Sequence, residues 1–176
     1  SHLVRFQDKD PAESTVFCFP NPKAPWFAAR DMGQAVNIET VIRVLEERET
    51  RHGPVVMEGA GGLLVPLTEN ILMIDILESI RPKVILAARA GLGTINHTLL
   101  SVDALLQRDL DIAGIVFLDP AETATPADHV QENMEAVKQF SGISVAGLIR
   151  HVDDFSKLDA QHIPVLDALL QETNLS

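Results

Sequence analysis

The sequence contains one cysteine, no tyrosine and only 5% aromatic residues. A single cysteine, Cys18, excludes an internal disulfide framework and fits a reducing cytosol. The scarcity of aromatic side chains leaves no stacking surface for single-stranded nucleic acid. We therefore expect a cytoplasmic protein that does not act on nucleic acid.

Long apolar runs and excess positive charge are also missing. No apolar run approaches the roughly 18 residues that a membrane-spanning helix needs. Acidic residues outnumber basic ones by 25 to 14, which gives a formal net charge of −11. Nucleic-acid surfaces need clustered basic residues, so this balance argues against one. This negative charge is compatible with a phosphate ligand, because backbone amides and a metal ion can hold phosphate inside an acidic protein.

Several catalytic and metal-binding patterns are absent as well. The sequence has no GxxxxGK[ST] phosphate loop, no paired-cysteine or His-x-x-x-His metal pattern and no recognisable Ser-His-Asp set. The lysine that normally neutralises a transferring phosphate is therefore not in this chain. From its sequence we assign no catalytic residue to the chain.

Short apolar runs alternate with amphipathic stretches from residue 37 onward. The predicted strands are Val55–Met57, Val84–Ala88, Ala113–Leu118 and Ser144–Ile149, with an edge strand at Val16–Phe19. The predicted helices start at a capping Asn37 and near Asn70, Thr94, Thr125 and Ile163. Nearly all-apolar strands are typical of a parallel sheet with helices on both faces. We expect one doubly wound, mostly parallel α/β domain over residues 1–176.

Prolines mark two local features. Pro20, Pro22 and Pro25 predict a rigid, irregular loop that Trp26 and Phe27 pin to the body. In the fourth helix, the Thr-Pro pair at 125–126 predicts a threonine cap followed by a proline in the first turn.

Two of the predicted strands end in glycine-rich turns, Gly59–Gly62 and Gly91–Gly93. The second turn leads directly into a helix from Thr94, and this geometry presents backbone N–H groups to an anion. The side chain of Asn96 can add an amide there. Glu58 precedes the first turn, where a carboxylate can hold Mg²⁺. A solvated glutamate and a plain tight turn are the alternatives.

Other polar residues have less specific interpretations. Asp119 follows a strand, where it can accept a hydrogen bond from a base or ribose or simply form an Asp-Pro turn. His97 lies beside an apolar helical stripe, which favours a packing residue over a catalyst. Asp153 and Asp154 are interpreted as solvated loop residues.

Two segments, VVMEGAGGLLVPL and AGLGTINHTLLSVDALLQRDLDIAGIVF, closely resemble the dethiobiotin synthetase family. That family carries V-E-G-A-G-G-x-x-x-P-L and then G-x-x-N-H-T/A-x-L. The segment FPNPKAPWFAA is similar to the family's P-x-x-P-H region, with Trp26 where histidine is common. The resemblance covers roughly residues 16–150.

The resemblance implies a P-loop NTPase-like fold and an ATP- and Mg²⁺-dependent ring closure in biotin biosynthesis. In that reaction 7,8-diaminopelargonate takes up CO₂ as a carbamate, ATP phosphorylates the carbamate, and the second amine closes the ring. The resemblance also implies a homodimer that completes the substrate pocket.

Residue roles follow from the resemblance by motif. Glu58 would be a Mg²⁺ ligand. The nucleotide-binding residues would be Glu58, Gly59, Ala60, Gly61, Leu118, Asp119, Arg150, His151 and Val152. The substrate-binding residues would be Gly61, Gly93, Thr94, Ile95 and Asn96. Leu118 stands where the family usually has asparagine, and Arg150 where it has proline.

The family's phosphate loop, catalytic lysine and second metal-binding acid lie upstream of any segment in this chain. We therefore expect the chain to be the C-terminal portion of such a domain, with the N-terminal part absent. One alternative is a catalytically incomplete P-loop homologue that acts as a nucleotide-sensing or assembly module. Another is a related ATP-dependent amide-forming enzyme with a different acid substrate.

Overall fold

The computed structural model describes residues 14–120, 124–152, 160 and 162–173. The chain divides into two compact units, Ser1–Ile80 and Arg81–Ser176. The described part of the first unit forms α1 (Pro25–Asp31), α2 (Ile38–His52) and α3 (Met73–Ile80). The second forms β1 (Val84–Arg89), α4 (Thr94–Leu106), β2 (Ile112–Asp119), α5 (Ala127–Ser141), β3 (Val145–Arg150) and α6 (Ile163–Thr173). Within these described ranges, no helix combines the length and apolar character needed to cross a membrane.

Two expectations stay predictions. The interpretation of Asp153 and Asp154 as solvated loop residues falls outside the described residues. That residues 1–176 make one domain also remains a prediction.

Helix α1 occupies part of the segment for which the prolines predicted an irregular loop. Pro25 lies in its first turn, where proline removes no hydrogen bond because that N–H has no helical partner. The rings of Trp26 and Phe27 stack with their centroids 4.7 Å apart. The N–H of Trp26 donates to the carbonyl of Pro66 at 3.3 Å. The loop prediction is therefore wrong for residues 25–31, and the anchoring role of the Trp26 and Phe27 side chains stays a prediction.

Helix α2 begins as its sequence predicts. Oδ1 of Asn37 accepts a hydrogen bond from the N–H of Thr40 at 2.7 Å, which satisfies one of the free donors of the first turn. Glu39 lies in that turn, where its negative charge is attracted to the positive end of the helix dipole and stabilises the helix. The helix ends at Gly53, whose φ of 80° favours a residue without a Cβ atom.

Residues 55–57 form no strand, contrary to the prediction, and neither do residues 16–19. A strand is stabilised by hydrogen bonds to a neighbouring strand, and no residue of the described ranges forms a ladder with either segment. Val56 is accordingly 89% exposed. An apolar run shows that a segment can be buried, but only a pairing partner makes it a strand.

Helix α3 starts at Met73 rather than near Asn70. The residues just before it form a short hairpin, in which the N–H of Leu67 donates to the carbonyl of Ile71 at 2.8 Å. An antiparallel bridge between Pro66 and Leu72 closes this hairpin. Backbone groups that are paired in a hairpin cannot also join the first helical turn, so the helix begins later than its apolar pattern suggests.

The second unit is built on a three-stranded parallel sheet in the order β1-β2-β3. The register runs from Val84 opposite Ile112 to Arg89 opposite Leu118, and from Ile115 opposite Val145 to Asp119 opposite Arg150. Each strand is followed in the chain by its neighbour in the sheet, so α4 and α5 are crossover helices. The carboxyl ends of all three strands therefore lie at one edge.

Helices cover both faces of this sheet, as the apolar strands predict. One face packs under α4 and α5 in a cluster that contains Ala88, Ala90, Val102, Ile115, Phe117, Val130 and Val137. On the other face α6 contributes Val165 and Leu169, which pack against Val116. Phe117 is fully buried, and burial of such a side chain contributes about 1.5–3 kcal/mol. The predicted α/β class is confirmed by this unit.

Candidate functional site

A cleft of about 490 Å³ opens at the carboxyl ends of β1 and β2. The polar side chains among its lining residues are Arg89, Thr94, His97, Ser101, Asp119 and Thr125. Ligands of open parallel sheets bind beyond the carboxyl ends of the strands, so this cleft is the candidate site of the second unit.

The turn between β1 and α4 has the geometry that its glycines predict. Gly93 adopts a left-handed conformation with a φ of 89° and caps the helix without a side chain. The N–H of Thr94 donates to the carbonyl of Gly91 at 3.3 Å. In the described part of the chain, the N–H groups of Ile95 and Asn96 have no acceptor. These two donors at a helix N-terminus form a local anion-attracting surface.

The predicted substrate residues of this turn separate into two groups. Thr94 lines the cleft, whereas Gly93, Ile95 and Asn96 are not among its lining residues. Asn96 is exposed, and Ile95 packs partly against the core cluster under α4 and α5. These four residues thus lie together at the start of α4, but only Thr94 lines the cleft.

Two buried threonines support the start of α4. Thr94 and Thr98 are each 4% exposed, and their Oγ1 atoms lie 3.3 Å apart, within hydrogen-bond distance. The apolar stripe alone does not reveal Thr98. The spacing of the two threonines nevertheless indicated this contact, because Thr98 follows Thr94 by one helical turn and lies on the same face.

His97 is exposed and lines the cleft, so its interpretation as a packing residue is wrong. Its N–H donates to the carbonyl of Gly93 at 3.2 Å, and its own carbonyl accepts from Oγ of Ser101 at 2.9 Å. The helix turns the apolar side chains toward the sheet and leaves the imidazole at the cleft.

Asp119 ends β2 and is 4% exposed. Its Oδ2 accepts the N–H of Thr125 at 2.9 Å and Nη1 of Arg150 at 3.3 Å. Its Oδ1 accepts Oγ1 of Thr125 at 3.2 Å. A buried carboxylate needs such partners. In this structure Asp119 links three segments of its own chain, which agrees more closely with a structural role than with an open base acceptor.

The contacts of Thr125 also correct the predicted start of α5. Pro126 is the residue at the cap position of this helix, and within the described residues no side-chain cap hydrogen bond forms there. Thr125 does not act as the cap because Asp119 holds both its N–H and its hydroxyl.

The remaining predicted nucleotide residues of this unit lie near the ends of β2 and β3. Leu118 is half-buried, lines the cleft and packs against the apolar cluster beneath α6. Arg150 is the last residue of β3. His151 is exposed and Val152 is half-buried.

Asn133 is a residue that sequence reasoning missed. It lies on α5, and its Nδ2 donates to the carbonyl of Ala90 at 3.0 Å, directly before the glycine turn. A half-buried asparagine in an amphipathic helix carries no distinctive local signal. The available clue was Pro120, because a proline after Asp119 removes a backbone donor at the end of β2.

The first unit contains the other predicted glycine turn. Gly61 has a φ of 89°, and a Cβ atom added there would lie 2.9 Å from Cγ2 of Val65. At Gly59 an added Cβ would lie 3.2 Å from Cε of Met73. Gly61 is therefore required by its left-handed backbone and by the contact with Val65, whereas an added Cβ at Gly59 needs only a small shift of the flexible Met73 side chain. Glu58 is exposed at the start of this turn.

A second cleft, of about 350 Å³, borders this turn and is lined by Lys23, Ala24, Ala60, Gly61 and Val65. Nζ of Lys23 forms an ion pair with Oδ2 of Asp31. The hydrogen bond from Lys23 is the main reason that the pKa of Asp31 lies below its ordinary value. The ion pair connects the cleft wall to the end of α1.

The metal-binding capacity of the chain depends on how its donor side chains are grouped. Among the described residues, no three His, Cys, Asp or Glu side chains come together as a metal cage. Mg²⁺ commonly uses one or two carboxylates together with water and substrate phosphates, rather than a cage made only by protein. The single exposed carboxylate of Glu58 fits that mode.

Comparison with known proteins identifies the family. A family model described as "AAA domain" matches residues 2–158. The ATP-dependent dethiobiotin synthetase of Anaeromyxobacter sp. (strain K) is 44% identical over 118 residues, which cover 64% of this chain and 53% of that protein. The corresponding protein of Lysinibacillus sphaericus (strain C3-41) is 35% identical over 144 residues, 81% of this chain and 59% of that protein.

A bifunctional relative is similar over more of the chain. The biotin biosynthesis bifunctional protein of Bordetella avium (strain 197N) is 39% identical over 153 residues, 85% of this chain and 30% of that protein. The chain thus spans less than two thirds of the length of each of these relatives. The chain belongs to the AAA domain family, and its similarity to these relatives supports the dethiobiotin synthetase family.

Proposed function

We propose that this chain is part of an ATP- and Mg²⁺-dependent dethiobiotin synthetase. The reaction would convert 7,8-diaminopelargonate and CO₂ to dethiobiotin by carbamate formation, phosphorylation of the carbamate by ATP and ring closure by the second amine. The observation that carries this proposal is the N-terminus of α4, where the N–H groups of Ile95 and Asn96 lack an acceptor among the described residues. The similarity to relatives named as dethiobiotin synthetases supports the substrate assignment.

The α4 N-terminus would bind the carboxylate of the diamine. Backbone N–H groups at a helix start attract an anion because they combine free donors with the positive end of the helix dipole. Thr94 would contact the substrate inside the cleft, and Gly93 gives the turn its left-handed bend. Asn96 is exposed, which suits a substrate contact completed in a homodimer.

The nucleotide would bind near the ends of β2 and β3. Asp119 uses its carboxylate within the protein, so in this proposal its role is to hold Thr125 and Arg150 in place. Base recognition would then fall to the backbone groups of residues 150–152, whose hydrogen bonds do not depend on side-chain identity, so this assignment accommodates Arg150. The carbonyl of Leu118 already accepts the N–H of Ala90, so in this proposal Leu118 would border the base through its side chain, which lines the cleft.

The glycine turn of the first unit would approach the phosphates or the carbamate. Gly59, Ala60 and Gly61 leave the main chain accessible, because none carries a side chain larger than methyl. Glu58 would hold Mg²⁺, whose charge offsets that of the phosphates. In this proposal the chain supplies binding groups for the reaction and no catalytic side chain.

Isothermal titration calorimetry tests this proposal. We expect the chain to bind 7,8-diaminopelargonate in the absence of nucleotide. A response to ATP alone, with none to the diamine, would favour a nucleotide-sensing homologue. Binding of a different amino acid in place of the diamine would indicate a related amide-forming enzyme. Either result would overturn the assignment to dethiobiotin synthesis.

A further inference from the structure

The peptide group of Ala90 links β1 to the glycine turn. Ala90 directly follows β1 and is 1% exposed. Its N–H donates to the carbonyl of Leu118 at 2.9 Å, which continues the pairing of β1 with β2 by one residue. One of its two backbone groups is therefore satisfied by the sheet.

The sheet cannot satisfy the other group. In a parallel pair, the N–H and C=O of a residue bond to the two residues that flank its partner on the neighbouring strand. Arg89 lies opposite Leu118, so Ala90 lies opposite Asp119, and its carbonyl would accept from residue 120. That residue is Pro120, which has no N–H. A buried carbonyl without a donor is costly, so a donor is needed from elsewhere.

Asn133 supplies that donor. Its Nδ2 lies 3.0 Å from the carbonyl oxygen of Ala90, and the side chain is half-buried. The amide of Asn133 thus takes the place of the ladder hydrogen bond that Pro120 cannot make. Because Ala90 immediately precedes Gly91, the bond also fixes the point at which the glycine turn leaves the sheet.

We propose that Asn133 is a positioning residue for the anion-binding start of α4. It does not touch the substrate. By holding the Ala90 carbonyl, it sets the path of the Gly91–Gly93 turn and therefore the direction of the free N–H groups of Ile95 and Asn96. The ligand part of this inference rests on the proposed function, whereas the structural part does not.

Two measurements on the 176-residue chain test the inference. Asn133→Asp keeps the size of the side chain but places an acceptor against the Ala90 carbonyl, and Asn133→Ala removes the donor. In both variants, amide hydrogen exchange should become roughly tenfold faster at Ala90, Thr94 and His97, whose N–H groups are hydrogen-bonded around the turn. Affinity for 7,8-diaminopelargonate should fall about tenfold, the effect of one lost hydrogen bond, while affinity for ATP stays unchanged.

Gln131→Ala is the matched control. Gln131 lies on the same helix, and its Nε2 donates to Oε1 of Glu135 at 2.9 Å on the exposed side, so its removal should leave exchange and both affinities unchanged. Unchanged exchange of the turn in both Asn133 variants would overturn the inference, whatever the chain binds. Equal losses of diamine and ATP affinity would also overturn it, because they indicate general destabilisation. If the unaltered chain does not bind the diamine, the proposed function is overturned instead. The hydrogen-exchange rates of the Asn133 variants then decide whether Asn133 positions the turn.

Discussion

Arg150 donates from Nη1 to Oδ2 of Asp119 across 3.3 Å and so joins the last residues of β3 and β2. The two residues are also register partners in the sheet. The side chain of Asp119 is 4% exposed and that of Arg150 is 36% exposed. The guanidinium therefore reaches from the surface to a buried carboxylate, at the edge where the cleft opens.

Replacing Arg150 by methionine should lower the free energy of unfolding by about 1–2 kcal/mol, because a buried carboxylate loses a charged donor. Urea denaturation measures this change. Arg89→Met is the control, since Arg89 ends β1, is exposed and forms no ion pair within the described ranges. An equal loss in both variants would show that the Asp119 contact is not the cause.

Replacing Asn96 by alanine should weaken binding of 7,8-diaminopelargonate by roughly fivefold to tenfold and leave ATP binding unchanged, because one hydrogen-bonding amide is removed from the proposed carboxylate site. Calorimetric titration with each ligand separates the two effects. Gln107→Ala, just beyond the opposite end of α4, serves as a control and should change neither affinity. Equal weakening toward both ligands would refute the assignment of Asn96.

Replacing Gly61 by alanine should destabilise the first unit by about 1–3 kcal/mol, because alanine is strained at positive φ and its Cβ would press against Val65. The adjacent Gly62 provides the comparison. An added Cβ at Gly62 meets nothing within 4 Å, and its φ is not positive, so Gly62→Ala should be neutral or slightly stabilising. Thermal unfolding of the two variants is the test, and similar midpoints would contradict the proposed strain.

His162, just before α6, is 3% exposed, and neither of its ring nitrogens has a hydrogen-bond partner in the described structure. Replacing it by leucine should raise the free energy of unfolding by about 1 kcal/mol, because a buried polar group without partners is replaced by an apolar one. His129→Leu, at an exposed position of α5, should have little effect. A loss of stability in His162→Leu would mean that the imidazole has a role that its contacts do not reveal.

The ion pair between Lys23 and Asp31 predicts a pH effect of known sign. The pKa of Asp31 is lowered by Lys23, so the contribution of the pair is present above the ordinary pKa of the carboxyl. That contribution is lost as the pH falls through the lowered value. Lys23→Met should therefore raise the pKa of Asp31, as measured by NMR titration of its carboxyl carbon. Arg43→Met, which breaks the distant exposed pair with Glu47, should leave the pKa of Asp31 unchanged.

The sequence was sufficient to predict those features of the fold that depend only on residues close together in the chain. Asn37 predicted a helix cap that the structure confirms, because the cap and the N–H group it accepts are three residues apart. Gly93 predicted the turn before α4 because a left-handed backbone at that position favours glycine. The alternation of apolar strands and helices likewise predicted the parallel sheet of the second unit, because its strands follow one another in sheet order.

Features that depend on distant residues were decided by the tertiary structure. The sequence by itself determined the Asn37 cap of α2, the left-handed turn at Gly93, the α/β class and the resemblance to dethiobiotin synthetases. Only the fold decided that residues 55–57 have no strand partner in the described ranges, that Thr125 holds Asp119, and that Asn133 replaces the donor missing from Pro120. The physical reason is that these outcomes depend on which unsatisfied backbone or carboxylate group meets which donor across the chain. A local pattern shows that such a group exists, but not which partner will reach it.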